Sequence, residues 1–261
     1  MISIISRRTA ALATMAVGLF FLSSCATEAE SSQLHFARIS ADVVVAGDGA
    51  ASANLVVAAP SDDPIWSGIS ELVAKNDHTD GGDLVFGEGA VRLIPGGEQD
   101  GTRLGTIVVE MPLSVDNFSM SEIVITLAGD HGPENYNVGE WNFERIRADG
   151  IVEISGEYPA SVSECNSVSF DVQGDLPFEI DGVSSRGAGV DILDVDIGVA
   201  KGTSRTVVLD LACDPQFDLY AFTPLIDVTS EGKKGIEPLQ PILIGYAGIT
   251  DEVVNRILTR R

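Results

Sequence analysis

The chain has 261 residues, enough for one large domain or two small ones, each with its own core. Its 39 acidic residues against 16 basic give a formal net charge of −23, which repels phosphates and so counts against nucleic acid and anionic lipid head groups as partners of the folded body. Acidity of this degree often marks disorder, but 44% hydrophobic residues and 27 Gly fit a mainly β protein.

Residues 1–24 read as an export signal. Arg7 and Arg8 supply a positive start, 10–22 are apolar, and small residues follow. The apolar run is too short for a membrane span, which needs about 20 residues. Ser6-Arg7-Arg8 matches the opening of a twin-arginine signal but Thr9-Ala10-Ala11 departs from it, so the export route stays open. The closing tetrad Leu22-Ser23-Ser24-Cys25 resembles the bacterial lipobox of lipoproteins. The resemblance implies that Cys25 becomes the first residue of the mature chain, carries acyl groups such as palmitate, and holds the protein to a membrane. An ordinary signal peptide with a chance Cys, or a Cys destined for a disulfide, is the competing reading. Residues 25–33 are small and polar and form a flexible tether. The expected location is extracytoplasmic, on the cell membrane or the outer membrane.

Strands begin at residue 34. Residues 34–43 alternate, 47–49 turn, and 52–59 are apolar, which predicts a β-hairpin ended by Pro60. Asp63 as N-cap, Pro64 at the first position, and Ile65, Ile69, Leu72 and Val73 on one face predict a short helix over 64–75. The loop 76–83 has the oxygen density of a calcium loop without its ligand spacing, so a solvated turn is expected. Strands follow at 90–94, 104–111 and 122–127. Asn117-Phe118-Ser119 spells a glycosylation triplet, which a bacterial lipobox argues against.

The hairpin bearing Asp48-Gly49, the strand 54–58 ending near Pro60, and Asp100-Gly101 followed by 105–109 resemble the N-terminal part of LppM-type actinobacterial lipoproteins over 34–130. That resemblance implies an envelope-exposed body with lipid or host-surface contacts rather than catalysis. This chain departs from the family in having no second membrane-spanning segment at its C-terminus, and no family site residue carries over.

The breaker 128–133 suggests a boundary between a β-rich domain with one helix (34–130) and a β-sandwich-like domain (131–235). In the latter, strands are expected at 137–148, 151–158, 167–173, 190–199, 205–212 and 217–222. Cys165 and Cys213 remain as an even pair once Cys25 is assigned, and an oxidising compartment favours a disulfide between them. Two free thiols or a metal pair are the alternatives. Asp194 and Asp196 share a face of a predicted strand and Asp191 the other, a pattern better read as a solvated acidic face than a metal site. In the C-terminal segment 236–261, Thr250 caps a helix near 250–260. Asp251 and Glu252 start it, and Arg256, Arg260 and Arg261 end it in accord with the dipole.

No catalytic residue, metal ligand or cofactor motif is identified. Residues 182–187 miss the spacing of a nucleophile elbow, Ser230-Glu231-Gly232-Lys233 spells S-x-x-K only in a charged turn, and His35, His78 and His131 lie in unrelated contexts. Trp66, Trp141, Tyr136 and Tyr220 are candidates for stacking on sugars, with a core role favoured for Trp141. The expectation is an envelope lipoprotein with a non-catalytic binding or structural role toward a protein, lipid or glycan. The alternatives are an envelope hydrolase acting on glycans through paired carboxylates, or a lipid carrier with a large apolar cavity.

Overall fold

A computed structural model describes residues 33–78, 81–112, 114–129, 132–187 and 189–260. Cys25 and the leader lie outside the described residues, as does His131. The first alternating runs form β1 (His35–Phe36), β2 (Ile39–Ala46) and β3 (Ser52–Pro60). After them come β4 (Ile69–Ala74), β5 (Leu84–Gly87), β6 (Val91–Gln99), β7 (Thr102–Glu110), β8 (Asn117–Leu127) and β9 (Glu134–Ile146).

The helix expected over 64–75 is confined to one 3-10 turn, Pro64–Ser67. Its start follows the sequence signal: the Asp63 carboxylate accepts the Ile65 N–H at 2.9 Å, and Pro64 sits at the first position. Gly68 then turns the chain at φ 131°, and β4 pairs antiparallel with both β5 and β8. A register shift between Ile69 and Glu71 explains the misreading. The bulge brings Ile69, Leu72 and Ala74 to the buried side, a spacing that mimics helical periodicity, and pairing on both edges overrides local propensity.

Nine of the remaining strands are β10 (Glu153–Ser155), β11 (Ser161–Val162), β12 (Ser167–Gln173), β13 (Glu179–Ser184), β14 (Val190–Ile197), β15 (Ser204–Cys213), β16 (Leu219–Phe222), β17 (Leu225–Ser230) and β18 (Lys233–Pro238). A last strand, β19 (Ile242–Ile244), precedes the helix α1 (Asp251–Thr259). The chain is thus mainly β and sandwich-like, with its α-helix near 250–260 as expected.

Four sheets result. One has the order β1-β3-β7-β6, a second β10-β12-β15-β14, and a third β13-β17-β18. The fourth has eight strands in the order β11-β19-β16-β2-β9-β8-β4-β5. Within it β2 runs parallel to both β9 and β16. The segment 128–133 only links β8 to β9, which pair antiparallel, so the expected boundary falls inside a sheet.

Two apolar cores sit on this framework. The first collects residues of β2, β3, β4, β7, β8 and β9. The second collects β12, β14, β15, β17 and β19. Strand β16 serves both through its period of two: Leu219 and Ala221 enter the first core, Tyr220 and Phe222 the second. Gly139 on β9 permits this close weave, because a Cβ there would sit 2.2 Å from the Ile39 carbonyl oxygen.

Cys165, just before β12, is bonded to Cys213 at the end of β15, with Cα atoms 6.1 Å apart. Because β12 and β15 are sheet neighbours, the bridge closes a 48-residue separation over an already paired ladder. Such a link contributes about 2–4 kcal/mol. The free-thiol and metal-pair readings fall away.

Candidate functional site

Asp218, just before β16, has a fully buried side chain that accepts four hydrogen bonds. Two main-chain bonds fix its place: the Asp218 N–H donates to the Arg38 carbonyl at 2.7 Å, and the Arg38 N–H donates to Asp218 Oδ2 at 2.8 Å. The helix α1 then brings in two guanidinium groups. Thr250 caps it, Ile257 buries its apolar face, and Arg256 and Arg260, four residues apart, project together. Arg256 Nε donates to Oδ1 at 2.6 Å. Arg260 grips both oxygens, at 2.5 Å to Oδ2 and 3.1 Å to Oδ1. Four donors meet a carboxylate with roughly four lone-pair sites, so its acceptor capacity is filled.

Arg38 completes the cluster differently. Its guanidinium lies over the Phe217 ring, 5.9 Å from the centroid. It makes no hydrogen bond or ion pair with any described residue, and its Nε is enclosed without a partner. Arg38 lines a pocket of about 460 Å³ between β1, the start of β9 and α1, together with His35, Asn135, Asn137, Ile257 and Arg260. Asn137 spends its carbonyl oxygen on the Gly139 N–H at 3.2 Å, which leaves its amide hydrogens available. Two guanidinium groups and the Arg38 main-chain amide therefore meet one carboxylate in a chain whose overall charge is −23.

The other buried carboxylates act as staples. Asp42 on β2 accepts the Arg186 N–H at 2.8 Å. Burial raises its carboxyl above the ordinary value, partly offset by the amides of Arg186 and Gly187. Glu237 on β18 accepts the Ile151 N–H at 2.7 Å and is likewise raised chiefly by burial. Asp63 caps the 3-10 turn. Each of these carboxylates is held by main-chain donors, and Asp42 and Glu237 are each raised further by a neighbouring acid, Glu144 and Asp149 respectively.

Two further hollows flank the second core and the first. One, about 580 Å³, is lined by Arg147, Asp149, Asp181, Arg186, Asp227 and Lys234. Exposed pairs cross its rim, Lys234 to Asp181 at 3.8 Å and Lys233 to Asp149 at 3.2 Å. The other is an apolar cleft of about 280 Å³ lined by Val43, Trp141, Ala221, Leu243 and Tyr246 among others.

The residues singled out from sequence disperse over the fold. Trp141 is buried and stacks on Phe143, with its indole N–H donating to Val138 O at 3.1 Å. Trp66 donates to Pro60 O at 2.7 Å beneath the Arg103 guanidinium. Tyr220 donates to Asp214 O at 2.6 Å. His78 meets the Ser119 hydroxyl at 2.9 Å, while His35 lies in the Arg38 pocket. Ser230 and Lys233 flank the β17–β18 turn; Ser230 donates to Pro177 O and Lys233 pairs with Asp149.

Asp191, Asp194 and Asp196 need a correction. A register shift between Ile192 and Asp194 puts all three on one exposed face of the edge strand β14, not on two. Among the described residues no group of three or more His, Cys, Asp or Glu could hold a metal ion. The row reads better as edge protection, since charge on an edge strand blocks pairing with another chain.

Sequence reading missed the Asp218 cluster. Arg256 and Arg260 carry a local signal in their spacing, but Arg38 and Asp218 are 180 residues apart and nothing near either one announces the other.

No family model matches the sequence, and no curated protein does. Among solved structures the chain is similar to a protein of unknown function from Porphyromonas gingivalis W83, at 12% identity over 80% of this chain and 99% of that one, with a TM-score of 0.24. It is also similar to Rst D1-D2, at 10% identity over 81% and 99%, TM-score 0.26. The I9-I11 tandem from titin matches at 10% identity over 81% and 66%, TM-score 0.21. At these TM-scores the likenesses carry no functional argument.

Proposed function

We propose that the protein is a lipid-anchored cell-envelope lipoprotein with a non-catalytic binding role. Residues 1–24 direct export, Cys25 carries the acyl chains, and the folded body stands outside the cytoplasm on a short tether. The observation that carries this reading is the tetrad Leu22-Ser23-Ser24-Cys25 closing an apolar run. Strand β1 begins ten residues after Cys25, so the tether spans at most about 36 Å. Acyl burial at about 0.8 kcal/mol per CH₂ makes two or more chains a stable anchor. The Cys165–Cys213 bridge supports an oxidising compartment.

The disposition of carboxylates supports binding over hydrolysis. Glycoside cleavage needs two acids about 5–9.5 Å apart facing one substrate. The buried acids Asp42, Asp218 and Glu237 have their oxygens engaged by main-chain amides and arginines, which leaves them poorly placed to act on a substrate. A lipid carrier needs more apolar room than the cleft beside Trp141, whose volume of about 280 Å³ lies at the low end for ligand sites.

Cys25→Ala tests the anchor in cells. Membrane fractionation should show the variant released, and metabolic labelling with a palmitate analogue should be lost. Unchanged membrane association of the variant would contradict the proposal.

A further inference from the structure

The Arg38 guanidinium is the one arginine of its cluster left over. Asp218 has no acceptor site to spare, because Arg256, Arg260 and the Arg38 amide already fill it. Its Nε is enclosed without a hydrogen-bond partner, and the Phe217 face beneath it cannot accept that N–H as an oxyanion would, so a bound anion would offset the lost hydration. Residues with N–H groups line the pocket from three elements: Arg38 beside β1, Asn135 and Asn137 on β9, and Arg260 at the end of α1. His35 of β1 lines the same pocket.

From this we propose that the pocket binds a phosphate group. A planar fork of N–H donors matches an oxyanion in bidentate fashion, and donors spread over three elements suit a tetrahedral group better than a flat carboxylate. A pocket of about 460 Å³ has room for more than the bare ion, so the ligand is a phosphate ester. The charge of −23 does not forbid this. Acidic residues beyond about 8 Å are largely screened at physiological ionic strength, and the Arg38 charge at the site is not matched by an ion pair with any described residue. The phosphate comes from a soluble ester or from a phospholipid head group near the tether; the site chemistry is the same for both.

The test uses the purified full chain and its Arg38→Gln variant. Sodium phosphate at about a hundredfold over Kd should raise the Tm of the natural chain by roughly 5–10 °C. Arg38→Gln should weaken phosphate binding at least tenfold and abolish that rise. Its own Tm without phosphate should stay within a few degrees of the natural chain's, since among the described residues its guanidinium loses only the contact with the Phe217 ring. Arg38→Lys, which keeps the charge without the fork, should bind with intermediate affinity and serves as a second probe if the Gln variant misfolds. Sedimentation with phosphatidylglycerol vesicles, against phosphatidylcholine vesicles, separates the sources. Arg38-dependent binding to the anionic vesicles assigns a head group, and Arg38-dependent binding to phosphate alone assigns a soluble ester. Equal responses of the natural chain and both variants to phosphate and to vesicles would overturn the proposal.

Discussion

Buried acids decide much of how this molecule holds together, and they do so in two ways. Asp218 is charge-matched by arginines, whereas Asp42 sits against main-chain amides and pays for its desolvation with a raised carboxyl pKa. The sign of the resulting pH dependence follows. Between the ordinary value of 3.8 and the higher folded value, the native state keeps a proton that the unfolded chain has released. The contribution of Asp42 to stability is therefore fully present below the unfolded pKa and falls as pH rises through the folded one. Asp42→Asn keeps an acceptor for the Arg186 N–H and removes this slope. Relative to the natural chain, the variant should gain stability between about pH 4 and about pH 7, read by urea denaturation at both. A difference that is the same at the two pH values would contradict the assignment.

The C-terminal helix is held from outside in two ways, by the first core and by Asp218. Nine residues are too few for a stable isolated helix, so α1 persists through its docking: Ile257 in the first core and the two arginines on Asp218. Asp218→Ala would leave both guanidinium groups and the Arg38 amide without their acceptor. The expected loss is about 3–5 kcal/mol in urea denaturation, with hydrogen exchange rising first along α1. A loss below about 1 kcal/mol would show that the helix docks by its apolar face alone. The cap and charge order of α1 were legible in the sequence because Thr250, Asp251 and Arg256 are local signals. The edge row Asp191, Asp194 and Asp196 was only half legible, since alternation cannot announce the bulge after Ile192. The same blindness turned β4 into an expected helix.

The two cores share one eight-stranded sheet, and that sharing explains what the sequence could not disclose. Individual strands were readable because alternation is a property of neighbouring residues. Sheet order was not, because β2 finds β9 and β16 in parallel pairs that join residues 100 and 180 positions apart. The 128–133 breaker lies between two paired strands, and a link within a sheet and a link between domains look alike in sequence. The site around Arg38 was hidden for the same reason: its donors come from β1, β9 and α1, each unremarkable alone. The disulfide was legible by counting, because assigning Cys25 to the lipid anchor left one pair. That count and the envelope location both rest on the fate of Cys25. Mass spectrometry of the N-terminal peptide from membrane-extracted protein reads that fate directly. The expected peptide begins at Cys25 and carries the added mass of acyl chains; a peptide beginning elsewhere, or an unmodified Cys25, would contradict the lipid anchor.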